Sequence, residues 1–439
     1  MNGNGAGGKI LVVGGGISGL TAAVEASEAG AEVVLVEKEA FLGGRVARSN
    51  QYFPKLCPPT CGLEINLRRV KTSPRIRILT QAEVTQIAGR PGAYRATIRK
   101  DPRYVRENCT ACGDCVEVCP EERPDGFNLG MGTTKAVYLP FDMAYPFRYV
   151  IDGDACLGEA ECGKCVPACP FDAIDLGMEA ETEELEVQSV IWATGWDPPD
   201  ASQFEGLGFG THPDIITNVM MERLAAPSGP TEGEVRRPSN DEPIESVAFV
   251  QCAGSRDENH YPQCSGVCCL ASLKQTRYVR ERYPDAEIYV FYIDIRAPGR
   301  LEDFFVASKA DEKLTLIKGK VARVTPSGDG LEVEAEDTLS GDRVRQTVDL
   351  VVLATGMIPT GVGETAVDGG LETDAFGFLV PEQSQAGILP VGCAKRPADV
   401  AMCNRDATAA ALKALGFAGG ADQAELEPVA AQAGEQSRG

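Results

Sequence analysis

The 439-residue chain has no lysine- or arginine-rich run, and its acidic residues outnumber its basic ones by 64 to 42, for a net charge of −22. That balance argues against nucleic acid as a partner, because phosphate backbones are held by clustered positive charge. No apolar run approaches the roughly 18 residues of a membrane-spanning helix, and no charged–apolar–small leader opens the chain. The protein expected from this is soluble and cytoplasmic, with any membrane contact made through partners. Histidine is nearly missing, and His212 and His260 are the only two. His260 lies in a loop between cysteines, where it either tunes a metal centre or proton path or is a solvated loop residue. Neither end has apolar periodicity: the first eight residues are rich in Gly and Asn, and the stretch from Ala418 in Ala, Gly, Glu and Gln. Such composition leaves both ends loose.

Cysteine is plentiful, with sixteen residues. In a chain read as cytoplasmic, that density points to metal ligands rather than disulfides. Cys109-Thr110-Ala111-Cys112-Gly113-Asp114-Cys115 runs on to Cys119-Pro120, the spacing C-x2-C-x2-C-x3-C-P. Cys156, Cys162, Cys165 and Cys169-Pro170 repeat it with a longer first loop. In this ferredoxin spacing three thiolates serve one cubane and the fourth serves the other. One [4Fe–4S] cluster would take Cys109, Cys112, Cys115 and Cys169, and the other Cys156, Cys162, Cys165 and Cys119. Two zinc knuckles are the alternative, disfavoured because each set of four closes on Cys-Pro.

The short apolar run Lys9-Ile10-Leu11-Val12-Val13 reads as a buried strand, followed by Gly14-Gly15-Gly16-Ile17-Ser18-Gly19, a helix to about Ala29, and the strand 32–37. This is G-x-G-x-x-G between strand and helix, ending on an acid, Glu37. The glycines allow a tight turn and close backbone approach, the helix N-terminus holds a pyrophosphate, and Glu37 holds a ribose hydroxyl pair. Gly43-Gly44-Arg45 follows, as in two-dinucleotide-binding flavoproteins, which makes the dinucleotide FAD. Arg45 then sits near the phosphates or ribityl chain, or else forms a surface ion pair. In Tyr52-Phe53-Pro54-Lys55-Leu56-Cys57-Pro58-Pro59-Thr60-Cys61-Gly62 the prolines argue against a regular helix. Cys57 and Cys61 are a redox disulfide, extra ligands, thiols against the flavin, or buried thiols without chemistry.

Residues 76–100 alternate as hairpin strands and 184–192 reads as the returning strand, so the cysteine module looks inserted at a hairpin tip, about 103–178. A second strand–loop–helix–strand unit begins at Ser246, with a helix over about 270–283 and a strand at 287–292. Its phosphate loop is replaced by Cys252-Ala253-Gly254-Ser255-Arg256 and Cys264-Ser265-Gly266-Val267-Cys268-Cys269. Four cysteines where NAD(P)H would lay its pyrophosphate predict a third [4Fe–4S] site, with a strained disulfide or plain buried thiols as alternatives. Residues 314–336 and 344–353 repeat the hairpin plan. Ala-Thr-Gly occurs at 193–195 and again at 354–356, marking two chain crossings between domains. Gly392-Cys393 precedes a helix over about 405–415. Flavoproteins of this class commonly carry Gly-Asp there, so Asp399 or Asp406 stands in for the usual ribityl contact, and Cys393 and Cys403 read as small buried residues.

The expected fold is α/β, a thioredoxin-reductase-like two-dinucleotide-domain flavoprotein with an inserted two-cluster ferredoxin module. The boundaries are 1–102 and 357–416 for the FAD domain, 103–178 for the insert, 179–245 for a return strand and linker, 246–356 for the second nucleotide fold, and 417–439 for a tail. Candidate flavin contacts are Gly14, Gly16, Gly19, Glu37, Lys38, Gly44, Arg45, Thr194, Gly195, Gly356 and Gly392. Candidate cluster ligands are the eight module cysteines with Cys252, Cys264, Cys268 and Cys269.

Taken with Leu56-Cys57-Pro58-Pro59-Thr60-Cys61-Gly62 and Cys252-Ala253-Gly254-Ser255-Arg256-Asp257-Glu258-Asn259-His260, these motifs resemble the HdrA-type flavin/iron–sulfur subunits of heterodisulfide reductases. Within that group the chain is most similar to the A subunits of quinone-interacting membrane-bound oxidoreductases. The resemblance spans nearly the whole chain, to about residue 416. It implies that the 252–269 loop ligates a cluster, and that electrons pass between a quinone pool and adenylylsulfate reductase. Two sister subunits are implied with it, a second HdrA-like one and a haem-bearing membrane one, with flavin-based bifurcation as a refinement. The competing reading is a self-contained NAD(P)H-dependent reductase of a disulfide or polysulfide at Cys57/Cys61, disfavoured by the missing second phosphate loop.

Overall fold

A computed structural model describes residues 8–53, 55–381 and 387–418. The ends read as loose and Pro54 fall outside those residues, apart from Gly8 and Ala418. The aliphatic run Lys9–Val13 is buried and becomes the central strand of a five-stranded parallel sheet. The sheet order is Ile388–Pro390, Ser189–Trp192, Lys9–Val13, Glu32–Glu37, Ile76–Thr80. A strand buried on both faces needs no polar alternation, which is why these segments read as near-continuous apolar runs. Helices Ile17–Glu28 and Val400–Ala418 share a core with the sheet, meeting through small residues such as Ala22, Ala26, Ala407 and Ala411.

The expected hairpin over 76–100 is corrected in one respect. Ile76–Thr80 is the edge strand of the parallel sheet, and the hairpin proper is Ala82–Arg90 with Ala93–Lys100. The chain changes direction at Gln81, a non-glycine residue at φ 52°. The returning strand is likewise two strands: Glu181–Val187 completes the antiparallel meander, and Ser189–Trp192 enters the parallel sheet. Lys100 and Glu181 face each other in register, so everything between them leaves and returns at one point.

The second half repeats this plan. A parallel sheet runs in the order Ile215–Thr217, Leu350–Leu353, Ser246–Val250, Glu287–Tyr292, Leu314–Lys318. A meander of Val321–Ser327, Gly330–Glu336 and Arg343–Val348 accompanies it. The edge strand Ile215–Thr217 comes from the stretch expected to be linker, so the second sheet recruits chain well before Ser246. Just beyond the two Ala-Thr-Gly crossings, Trp196–Asp197 pairs antiparallel with Ile358–Pro359, tying the crossings together.

The excursion between Lys100 and Glu181 is anchored by arginines. The Arg103 guanidinium, 5% exposed, donates to the Tyr149 and Arg148 carbonyls within the excursion and to the Ala40 carbonyl of the first domain. Phe127 and Phe141 stack at 4.7 Å and both meet Phe41 edge-on. Arg223 lies over the Phe127 ring and donates to Asn128, so the excursion touches both halves.

Candidate flavin cavity and cysteine sites

A cavity of about 740 Å³ lies between the two halves. Gly14 has φ 102°, and a Cβ there would run into the Ala193 carbonyl; a Cβ on Gly19 would strike the Gly14 carbonyl. Both glycines are thus required by the tight turn itself. Gly16 is different: its backbone is extended, and an added Cβ would meet only Gly44 Cα at 3.9 Å. Its open side belongs to the cavity lining, the arrangement needed for backbone to approach a phosphate.

Glu37 is buried and accepts hydrogen bonds from Gly15 N–H at 2.6 Å and Glu39 N–H at 2.8 Å. Burial pushes its carboxyl up to about 7 despite those two donors. Lys38 lies at the cavity and pairs with Glu83 at 3.1 Å and Glu364 at 3.6 Å. Arg45 also lines it, ion-paired with Asp197 and lying over the Trp196 ring. Burial, set against Asp197, holds its guanidinium below the usual arginine range. Its partner is thus at the cavity wall rather than on the open surface. Gly44, Thr194 and Gly195 line the cavity, whereas Gly19, Gly356 and Gly392 do not. Thr194 Oγ1 and Trp192 Nε1 are buried there without a hydrogen-bond partner among the described residues. Orphaned polar atoms, an open phosphate turn and a buried carboxylate at the strand end suit a dinucleotide such as FAD. Asp399 reaches the lining with its carboxylate occupied by Met402 N–H at 2.7 Å, while Asp406 pairs with Lys395 and Arg396.

Of the eight module cysteines, four come together at one cavity. A small second cavity is lined by Cys109, Cys112, Cys115 and Cys169. Burial, then the potential of Cys109, pushes the Cys115 thiol up to about 12. Cys165 is pushed up to about 11 by burial and then by Cys156, with Cys119 and Cys162 adding to it. Among the described residues no three His, Cys, Asp or Glu side chains form a group able to hold a single metal ion. A four-iron cubane poses a different demand, since its thiolates bind separate irons. The all-thiol donor set around a cavity suits that group.

In the second domain, Cys252 adopts φ 56° two residues past the end of the strand Ser246–Val250, and Cys268 and Cys269 open the helix Cys268–Arg282. Burial pushes Cys268 up to about 12 and Cys252 up to about 11, and Cys269 and Cys264 act electrostatically on both. The loop is fixed against the second crossing: Ser255 Oγ donates to the Thr355 carbonyl, and Ser265 Oγ accepts from Met357 N–H. A Cβ on Gly356 would collide with both serines. Ser265, Gly266 and Val267 reach the large cavity, so the cysteine loop borders it. His260 bonds the Gln203 carbonyl at 3.0 Å and packs edge-on against Phe204; it is held in place rather than solvated.

Against expectation, Pro58 and Pro59 start a helix, Pro59–Thr72. Proline is tolerated in a first turn, where its missing N–H would be unpaired anyway. Cys61 is exposed and Cys57 half-buried, and neither lines the large cavity. Sequence reasoning missed Lys274, which lines that cavity, pairs with buried Glu222 at 2.9 Å and donates to the Gln51 carbonyl. Glu222 also accepts from Gln275, Tyr278 and Asn50 N–H. Its only signal is a position five residues past Cys269, inside an expected helix.

Residues 9–62 match the family of FAD dependent oxidoreductases. The chain is 38% identical to the second of the CoB–CoM heterodisulfide reductase iron-sulfur A subunits of Methanopyrus kandleri, over 98% of this chain and 67% of that one. It is 37% identical to the A subunit of the H(2):CoB-CoM heterodisulfide,ferredoxin reductase of Methanothermobacter marburgensis, covering 96% and 66%. It is also 37% identical to the A subunit of the Ferredoxin/F(420)H(2)-dependent CoB-CoM heterodisulfide reductase of Methanosarcina acetivorans, covering 96% and 54%. The chain thus spans about half to two-thirds of these curated relatives. Thioredoxin reductase of T. acidophilum superposes with a TM-score of 0.50 at 12% identity, covering 93% of this chain and 97% of that one. The bacillithiol disulfide reductase of Bacillus cereus does so with 0.50 at 11%, covering 94% and 98%. At such identity the likeness concerns the fold alone, a thioredoxin-reductase-like two-domain α/β architecture.

Proposed function

The chain belongs to the family of heterodisulfide reductase A subunits, and on that premise we propose that it is an electron-transfer subunit holding one FAD and three [4Fe–4S] clusters. When bound, FAD exchanges electron pairs and the clusters pass electrons singly. The Gly14–Gly19 turn and Glu37 hold the dinucleotide. Cys109, Cys112, Cys115 and Cys169 hold one cluster, Cys156, Cys162, Cys165 and Cys119 the second, and Cys252, Cys264, Cys268 and Cys269 the third.

The observation that carries this reading is the 252–269 loop. A nicotinamide site needs a glycine turn whose N–H groups approach a pyrophosphate. At that place the chain puts four cysteines, and the same loop borders the flavin cavity through Ser265, Gly266 and Val267. Electrons would therefore enter or leave the cavity through thiolate-held iron where a nicotinamide enzyme uses hydride.

Within this reading we assign the chain to a complex linking a membrane quinone pool to adenylylsulfate reductase. Its partners there are two further subunits, one HdrA-like and one haem-bearing and membrane-embedded. The quinone site then belongs to the haem-bearing partner; among the described residues no helix is long and apolar enough to cross a membrane. The names of the relatives favour a second reading, a subunit of a heterodisulfide-reductase-type complex, for which flavin-based bifurcation is a further refinement.

The test uses anaerobically purified protein. NADH and NADPH should reduce the flavin no faster than buffer does. Cys268→Ala should lose about four of about twelve irons, retain FAD and stop electron passage between flavin and partner. Rapid flavin bleaching by either nucleotide, or undiminished iron in the variant, overturns the assignment.

A further inference from the structure

Four cysteines remain outside the proposed clusters, and two of them, Cys393 and Cys403, lie side by side. Cys393 follows Gly392 where flavoproteins of this class commonly carry Asp, and Cys403 lies in the first turn of Val400–Ala418. Both are buried and both line the large cavity. Their sulfurs are 3.9 Å apart. Met357 and Ala398 complete the cluster around them, with Ile17, Trp196, Val267 and Met402 packed against it.

The two thiols are not equivalent. Cys393 is pushed up by its hydrogen bond to Cys403 and by burial. Cys403 is drawn down by the hydrogen bond from Cys393 and further by the Ser18 hydroxyl, against burial and the charges of Asp399 and Asp406. The helix N-terminus adds positive potential at Cys403. One sulfur is thus favoured as a thiolate and the other as its proton-bearing partner, the division of labour of a reactive dithiol. Cys57 and Cys61, the more obvious pair by spacing, lie outside this cavity.

We propose that Cys393 and Cys403 are a redox-active dithiol inside the flavin cavity, exchanging an electron pair with bound FAD by closing and opening a Cys393–Cys403 disulfide. On oxidation two S–H bonds break and one S–S bond forms. FAD takes up the two electrons and two protons to become FADH2, and the reverse transfer restores the thiols. The sulfurs must close to about 2.05 Å. The inference rests on FAD occupying this cavity.

The test follows the cysteines, not turnover. Holoprotein is reduced anaerobically, reoxidised with ferrocenium, quenched in acid, denatured, alkylated with N-ethylmaleimide and digested. Protein stripped of FAD is carried through in parallel, and the FAD content of both is measured. The reoxidised holoprotein should yield a peptide pair linked through Cys393 and Cys403. The reduced holoprotein and the stripped protein should yield both cysteines alkylated. In Cys393→Ser the linked pair should disappear and Cys403 should remain alkylated after reoxidation. Full alkylation of both cysteines in reoxidised, FAD-loaded protein overturns the proposal. So does an equal yield of the linked pair with and without FAD, because flavin is then not the oxidant. Absence of FAD from purified protein would instead sink the flavin reading beneath it.

Discussion

Glu37→Gln is the most informative single change at the flavin site. The carboxylate is buried, it already accepts two backbone N–H bonds, and burial lifts its pKa from the ordinary 4.5 to about 7. An acid whose pKa is higher folded than unfolded binds its proton more tightly in the native state. The flavin-free protein should therefore lose stability as pH rises from about 4.5 to about 7, by about 3 kcal/mol from this group. Ribose hydroxyls donating to Glu37 favour the ionised form, so FAD affinity should rise with pH through about 7. Replacing two charge-assisted bonds by neutral ones forfeits roughly 1–1.5 kcal/mol each, or about 30- to 150-fold in Kd. Titration calorimetry of FAD into stripped protein between pH 6 and 8 reads both effects. The gap between wild type and Glu37→Gln should be widest at pH 8 and shrink toward pH 6, while the variant's affinity stays flat. Equal dissociation constants at pH 8, or a wild-type affinity indifferent to pH, would refute the role given to Glu37.

Three further changes test neighbouring parts. Gly16→Val points a side chain into the cavity from a backbone any residue can adopt, so it should fold with full iron content and lose FAD, checked by flavin release and iron assay. Arg103→Leu leaves three carbonyls without their donor and should cost about 3 kcal/mol, read in denaturant unfolding, with looser protease protection of residues 101–180. Glu222→Ala strips the partner from buried Lys274 and should cost about 3–5 kcal/mol; Glu222→Gln should cost less, because it preserves an acceptor for Gln275 and Tyr278.

Much of the architecture was legible because the two halves repeat one another. Apolar runs of 4–6 residues, each followed by a turn or by Ala-Thr-Gly, mark strands buried on both faces. The cysteine spacing likewise singles out Cys109, Cys112, Cys115 and Cys169 as one set, and the folded chain brings those four to one cavity. What stayed hidden has local causes. Ile215–Thr217 is three residues long, too short to show a period. Ile76–Thr80 alternates like a half-exposed hairpin strand because it is the edge of its sheet, covered less than its neighbours. The two prolines at 58 and 59 forbid a helix interior and yet suit a helix start, and spacing cannot distinguish these cases.

The long-range anchors were illegible for a different reason, and they decide how the cysteine module relates to the flavin cavity. An excursion leaving and returning at Lys100 and Glu181 would be free to swing on that one point. Arg103 binds its own excursion and the Ala40 carbonyl together. Phe127 is clamped between Phe41 of the first domain and Arg223 of the second, and Arg223 also donates to the Arg48 carbonyl. Arg48 in turn lines the flavin cavity. No periodicity announces an arginine that will cross between segments, because the partners are carbonyl oxygens that every residue carries. The result is a module held against both halves at once, which fixes the separation between its thiols and the cavity. Electron transfer by single steps depends on that fixed spacing more than on any one side chain at the flavin. Weakening the anchor at Arg103 should therefore slow transfer between module and flavin while iron and FAD content stay at wild-type levels. Stopped-flow reduction of the flavin by dithionite-reduced clusters reads that rate directly, and an unchanged rate in a loosened but fully loaded Arg103→Leu protein would mean the anchors serve stability alone.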